Sequence, residues 1–116
     1  NIARIQQSLD RFGQRFLDRV FTEIEQAKAE RRAFTRAATY AKRFAAKEAF
    51  GKALGTGLIA PATLPNIGVA HDALGRPLFE YATPLAVHLA QRGLFAHLSI
   101  SDEQDYAIAF VIMEQT

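Results

Sequence analysis

The sequence predicts an α+β fold, with helices first and an antiparallel sheet after, and three observations carry that reading. Apolar residues recur at helical spacing through the first half of the chain. Short runs typical of strands replace that pattern in the second half, and Gly55-Thr56-Gly57 stands between the two regimes. At 116 residues the chain is long enough for one hydrophobic core, and residues 1–116 are read as one domain.

Residues 2–20 are expected to form an amphipathic helix. Ile2, Ile5, Leu9, Phe12 and Phe16 make its buried stripe, while Arg4, Arg11 and Arg15 share a face to one side, together with Ser8. Thr22 followed by Glu25 is a capping-box signature, so a second helix starts there and runs to about Arg32. A third helix covers roughly 34–54. Its Ala38, Ala41, Ala45, Ala49 and Ala53 form a small-residue seam that lets another element approach, and glycine stops it at the Gly55-Thr56-Gly57 loop. Strands follow at Ile67–His71 and Pro77–Tyr81 around the turn Asp72-Ala73-Leu74-Gly75. A short helix spans about Pro84–Arg92, and Ala96–Ser101 with Tyr106–Met113 make a terminal hairpin around Asp102–Asp105.

Composition narrows the function. There are no cysteines, which excludes a disulfide framework, a cysteine nucleophile and thiolate zinc sites. No apolar run approaches the roughly 18 residues of a membrane helix, so no membrane partner is expected and the cytoplasm is the expected compartment. Residues 1–52 carry twelve Lys/Arg against six Asp/Glu, whereas residues 53–116 carry two against six. A basic front half fits either an anionic partner or a solvated charged helical surface.

The segment Phe44-Ala45-Ala46-Lys47-Glu48-Ala49-Phe50-Gly51-Lys52 carries the candidate chemistry. Glu48 and Lys52 are four residues apart on one helix and emerge on the same face. One reading is an intrahelical ion pair, worth about 0.2–0.5 kcal/mol at an exposed site. The other is a magnesium–polyphosphate site, since a hard cation takes carboxylate and phosphate oxygens while an ammonium neutralises the phosphoryl group. The Gly-Thr-Gly loop likewise reads as a helix stop or as backbone open to a ligand, and Arg43 and Lys47 add positive charge on the same helix. No Walker A spacing is present.

Arg43-Phe44-Ala45-Ala46-Lys47-Glu48-Ala49, followed by Lys52-Ala53-Leu54-Gly55-Thr56-Gly57, resembles the second signature of phosphopantetheinyl transferases of the bacterial holo-acyl-carrier-protein synthase type. The resemblance extends to Ile2–Ile5, to Phe21-Thr22 with Glu25, to Asp72 with Gly75–Leu78, and to His97–Ser101 with Asp105–Ala107. It covers essentially the whole chain in order. The family's first signature is a strand ending in a magnesium-binding Asp; this sequence begins at Asn1, just beyond that position, and the expectation is that the strand is missing from this chain.

The resemblance implies transfer of 4′-phosphopantetheine from coenzyme A to a serine of acyl carrier protein, releasing 3′,5′-ADP, in fatty acid biosynthesis. It implies Mg2+ as cofactor, coenzyme A as donor substrate and a trimeric phosphopantetheinyl transferase-like fold with active sites between subunits. Glu48 becomes the metal ligand and orients a water that accepts the serine proton, and Lys52 neutralises the departing phosphate. Arg43, Lys47, Gly55, Thr56, Gly57, Gly75, Pro77, His97 and Ser99 become candidates for cradling coenzyme A. His97 equally suits a hydrogen-bonded strand histidine. Arg4, Arg11 and Arg15 would meet the acidic carrier protein. The competing reading is a non-catalytic adaptor that binds acidic partners through its basic helices. Nucleic-acid binding ranks third, because no recognition motif or stacking platform accompanies the basic face.

Overall fold

Asn1 opens the first helix by accepting hydrogen bonds from the Ala3 and Arg4 amides through its side-chain oxygen, satisfying donors that a helix start leaves orphaned. This computed structural model describes residues 1–116 throughout. The expected helix over 2–20 is two helices, α1 (Ile2–Phe12) and α2 (Gln14–Val20), broken at Gly13. Gly13 adopts φ 55°, a conformation that side chains rarely enter, and the axis changes there. The break corrects the predicted buried stripe: Ile5 and Leu9 are buried, but Phe12 is 51% exposed, and Leu17 and Val20 of α2 supply the core residues beyond the turn.

Helix α3 (Glu23–Glu30) begins with both halves of the Thr22–Glu25 capping box formed. A 3-10 turn at Ala33–Thr35 leads into α4 (Arg36–Leu54), which ends at Gly55 in the left-handed conformation. Strands β1 (Ile67–His71) and β2 (Pro77–Tyr81) pair antiparallel, with Val69 opposite Phe79. Helix α5 (Thr83–Arg92) follows, and β3 (Leu94–Glu103) pairs with β4 (Tyr106–Gln115) over their whole length, Leu94 opposite Gln115 and Glu103 opposite Tyr106. The strands therefore form two separate two-stranded hairpins, the second longer than the alternation in sequence suggested.

Two apolar clusters hold these layers together. The first joins α1, α2 and α3 to the front of α4 through Ile5, Leu9, Leu17, Val20, Phe21, Ala29, Tyr40 and Ala41. The second gathers Phe50, Leu54, Ala62, Ile67, Leu85 and Leu89 beneath the end of α4, with Phe50 in edge contact with Phe79 at 5.1 Å. The alanine seam of α4 lies toward β4, whose own inward residues include Ala107 and Ala109, and small side chains on both sides permit the close approach. The opposite face of that hairpin is uncovered. Phe95, Tyr106, Ile108, Phe110 and Ile112 are between 38% and 68% exposed.

Candidate active site

Helix α4 organises the site because successive residues leave it about 100° apart, sending neighbours in sequence to opposite environments. Glu48 and Lys52 both lie on its exposed side. They form neither a hydrogen bond nor a salt bridge with each other or with any other side chain, so the intrahelical ion pair considered from the sequence is not made. A carboxylate and an ammonium one turn apart are thus both available to a ligand. The glycine loop folds directly beneath Lys52: the amides of Gly55 and Gly57 both donate to the Gly51 carbonyl, at 3.2 and 3.0 Å. Gly55 and Gly57 have φ of 92° and 72°, so each position requires glycine's freedom.

Lys47 departs from expectation. Its side chain is fully buried, and its ammonium donates to Glu25 Oε1 at 2.8 Å and to the Leu64 carbonyl at 2.9 Å. Burial pushes this ammonium below the ordinary lysine range against the opposing pull of Glu25. Turned inward and already engaged, Lys47 has no surface beside Arg43 to offer a ligand, contrary to the expectation. The sequence reading missed this because a lysine in a helical run looks solvated until its partner, 22 residues away in the chain, is placed beside it.

Arg43 is the reverse case. It is 5% exposed, and its Nε has no hydrogen-bond partner. It lines a cavity of about 430 Å³ together with Lys28, Arg31, Arg32, Thr39, Lys42, His71, Gly75 and Ile100. Six of these nine are cationic or imidazole groups with no carboxylate among them, so the cavity is basic. The same environment acts on His71: burial first, then the charges of Arg43, Lys28, Lys42 and Arg32, hold its imidazole below the usual histidine range. A second cavity, about 370 Å³, adjoins at Ile100 and is lined by Asp72, Arg76, Pro77, Leu78 and residues 95–100 of β3. Its turn is rigid, because Asp72 accepts from the amides of Leu74 and Arg76 and from the Arg76 side chain.

The structure therefore brings Arg43 and Gly75 together in one cavity, and Pro77, His97 and Ser99 in the next. Glu48, Lys52 and the Gly55–Gly57 loop line neither. His97 and Ser99 project from the uncovered face of β3, opposite Ile112 and Phe110 on β4, and His97 lies 3.5 Å from Glu114. The residues that sequence reasoning missed are Lys28, Arg31, Arg32, Lys42 and His71. The excess of positive charge before residue 52 was the only trace of the four cations, and His71 left none, since the fold alone makes them converge.

Arg4, Arg11 and Arg15 are exposed, and none has a carboxylate within salt-bridge distance. The bend at Gly13 puts Arg15 on α2, where it lines a shallow groove with Ser8, Phe12, Phe16 and Arg19. Arg11 stacks over Phe12 at 5.2 Å. The chain thus presents charge and an exposed aromatic ring side by side.

A helical layer carrying an outward Glu–Lys pair and a glycine loop, set against antiparallel hairpins beside a basic cavity, is an arrangement compatible with phosphoryl transfer. The model of the 4′-phosphopantetheinyl transferase superfamily matches residues 1–111, and the chain belongs to that superfamily. Its relatives include the holo-[acyl-carrier-protein] synthase of Azoarcus sp. (strain BH72), 54% identical over 98% of this chain and 90% of the relative. That of Aromatoleum aromaticum is 53% identical with the same two coverages. Among solved structures, the holo-[acyl-carrier-protein] synthase of Neisseria meningitidis superposes with a TM-score of 0.92 at 43% identity, covering 98% of this chain and 91% of that one. The Helicobacter pylori enzyme, solved in complex with coenzyme A, gives 0.83 at 26% identity over 97% and 93%.

Proposed function

We propose that this chain is a holo-acyl-carrier-protein synthase that transfers 4′-phosphopantetheine from coenzyme A to a serine of acyl carrier protein. The observation that carries the reading is the unpaired Glu48–Lys52 couple on the exposed side of α4, above the Gly55–Gly57 loop, in a chain that also holds a basic cavity free of carboxylates. The alternative of a non-catalytic adaptor explains the basic helices but gives Glu48 nothing to do.

The serine Oγ attacks the β-phosphorus of coenzyme A, a new P–O bond forms, and the bond to the departing 3′,5′-ADP breaks. Phosphoryl transfer of this kind rests on positioning and charge neutralisation. Lys52, exposed and one turn from Glu48, is the group that would neutralise the leaving phosphate. Glu48 orients the water that takes the serine proton. The donor set suits Mg2+: Glu48 is a hard, exposed carboxylate with no competing partner, and this cation commonly takes one or two carboxylates plus substrate phosphates. When bound there, it neutralises charge on the pyrophosphate. Arg43, with its orphaned Nε, and His71 face the anionic ligand from the basic cavity, and Pro77, His97 and Ser99 flank its continuation.

One chain leaves the Glu48 group and the cavity group in separate places, and it leaves the outer face of β3–β4 uncovered where His97 and Ser99 project. A homotrimer resolves both, by laying that apolar face against a neighbouring copy so that one active site draws on two chains. Arg4, Arg11 and Arg15, with Phe12 between them, form the dock for an acidic carrier protein. No helix is long and apolar enough to cross a membrane, and the cytoplasm is the proposed compartment.

The test incubates the protein with apo-acyl carrier protein and coenzyme A, with and without Mg2+, and follows the carrier by mass spectrometry. Gain of one phosphopantetheine only with Mg2+ is the expected result. Binding of the carrier without any mass gain would establish the adaptor instead.

A further inference from the structure

Glu48 is held in place through its neighbour in sequence. Glu25 is 1% exposed and Lys47 fully buried, and their 2.8 Å contact is the one buried salt bridge; the other four join side chains at least 30% exposed. Glu25 does more than pair. Its Oε1 also accepts from the Thr22 amide at 2.8 Å, and its Oε2 accepts from the Val69 amide at 2.8 Å. Lys47 in turn donates to the Leu64 carbonyl at 2.9 Å. A single carboxylate thus ties the start of α3 and the middle of β1 to α4, and the ammonium adds the turn before β1. Each tie is a charge-assisted bond in a dry environment.

A capping box does not need this burial, and a purely structural ion pair is replaceable by apolar groups of similar volume with little loss of stability. What the pair does that apolar groups would not is fix a direction. Lys47 and Glu48 are successive on α4, so the bonds that turn Lys47 inward set the angle at which Glu48 leaves the helix. Lys52 follows one turn later. At a side-chain radius of about 5–6 Å, a roll of about 10° moves the Glu48 carboxylate by about 1 Å. Misplacement on that scale is enough to slow a reaction by about 10²-fold.

We propose that Glu25 is a positioning residue for the transfer reaction, setting through Lys47 the roll of α4 and with it the place of the Glu48 carboxylate. The inference rests on the transferase reading given above. The decisive variant is the full chain carrying Glu25→Gln with Lys47→Met, which removes both buried charges while retaining side-chain volume. Leu89→Ala, on α5 in the cluster beneath the end of α4, provides a comparison that destabilises without touching the pair. Turnover is measured at a temperature where all forms are folded by circular dichroism, alongside amide NMR shifts of Glu48, Lys52 and Gly55.

The double variant should lose about 10- to 100-fold in kcat with the carrier-protein KM within about twofold of the parent, and the three amide shifts should move. Leu89→Ala should keep parental kcat and shifts. Parental kcat in the double variant, or unmoved Glu48 and Lys52 shifts, would overturn the proposal. Should the double variant fail to fold, Glu25→Asp keeps the charge but withdraws the carboxylate by one methylene; it should show the same kcat loss, and parental turnover there would refute positioning. If the parent protein transfers nothing, the function assigned above fails, and the NMR shifts alone then decide whether Glu25 sets the roll of α4.

Discussion

Lys47→Met isolates the stability of the buried pair. The substitution keeps an unbranched apolar stem of similar reach but removes the ammonium. It leaves the Glu25 carboxylate 1% exposed, with only the Thr22 and Val69 amides as donors. Removing one partner of a buried ion pair typically costs about 3–5 kcal/mol, and the abandoned Leu64 carbonyl falls within that range of loss. An unfolding entropy of about 2.1 cal/mol/K per residue makes 1 kcal/mol equivalent to about 4 °C for a chain of this length, so the melting temperature should fall by about 12–20 °C. Adding Glu25→Gln should restore part of the loss, because the uncompensated charge is then gone although the new NH2 group opposes one of the two amides that donated to the carboxylate. Differential scanning calorimetry of the parent, the single and the double variant checks both steps. A drop below about 4 °C for Lys47→Met would mean that Glu25 keeps access to water, and the reasoning from burial would be wrong.

Glu48→Gln should abolish Mg2+-dependent transfer while leaving the melting temperature within about 2 °C, since the side chain is exposed and unpaired; near-parental turnover would remove Glu48 from the metal site. Reversing Arg11 and Arg15 to Glu should raise the KM for carrier protein more than that for coenzyme A, with the parental affinity itself weakening as salt rises through 0.1 M, where charges are screened over about 10 Å; equal effects on both KM values would argue against docking there. His71 is held below its ordinary value of about 6.5, so between the folded value and 6.5 the unfolded chain binds more protons and stability rises with pH. That contribution is complete above about 6.5 and is lost as pH falls through the folded value, so His71→Gln should flatten the urea midpoint between pH 5 and 7.5; an unchanged slope would place the histidine outside the field of the basic cavity. Phe110→Lys with Ile112→Lys should convert the proposed trimer to monomer in light scattering and abolish coenzyme A binding, whereas a trimer that survives both changes would put the interface elsewhere.

The sequence by itself determined the order of helices and hairpins, because each rests on local physics. Periodicity located α4, the Thr22–Glu25 spacing located the start of α3, and glycine located the end of α4. It also located the Glu48–Lys52 couple, since residues four apart on a helix share a face whatever surrounds them. Where local signals conflicted, the tertiary structure decided. Helical spacing ran through Gly13 without interruption, yet the chain bends there at a positive φ, and α2 buries Leu17 and Val20 in the first cluster while Phe12 stays exposed. That the two hairpins stay separate two-stranded sheets and do not join into one was likewise undecidable from alternation, which sets a strand's faces but not which edges meet. Burial was the least legible property of all. Lys47 and Arg43 sit on one helix with the same charge, and only distant residues separate their fates. Glu25 meets Lys47 and draws it into the core, whereas Arg43 meets other cations around a cavity and keeps an unfilled donor. An ionic partner 22 residues away is a product of packing, and packing is what a periodicity read along one chain does not contain.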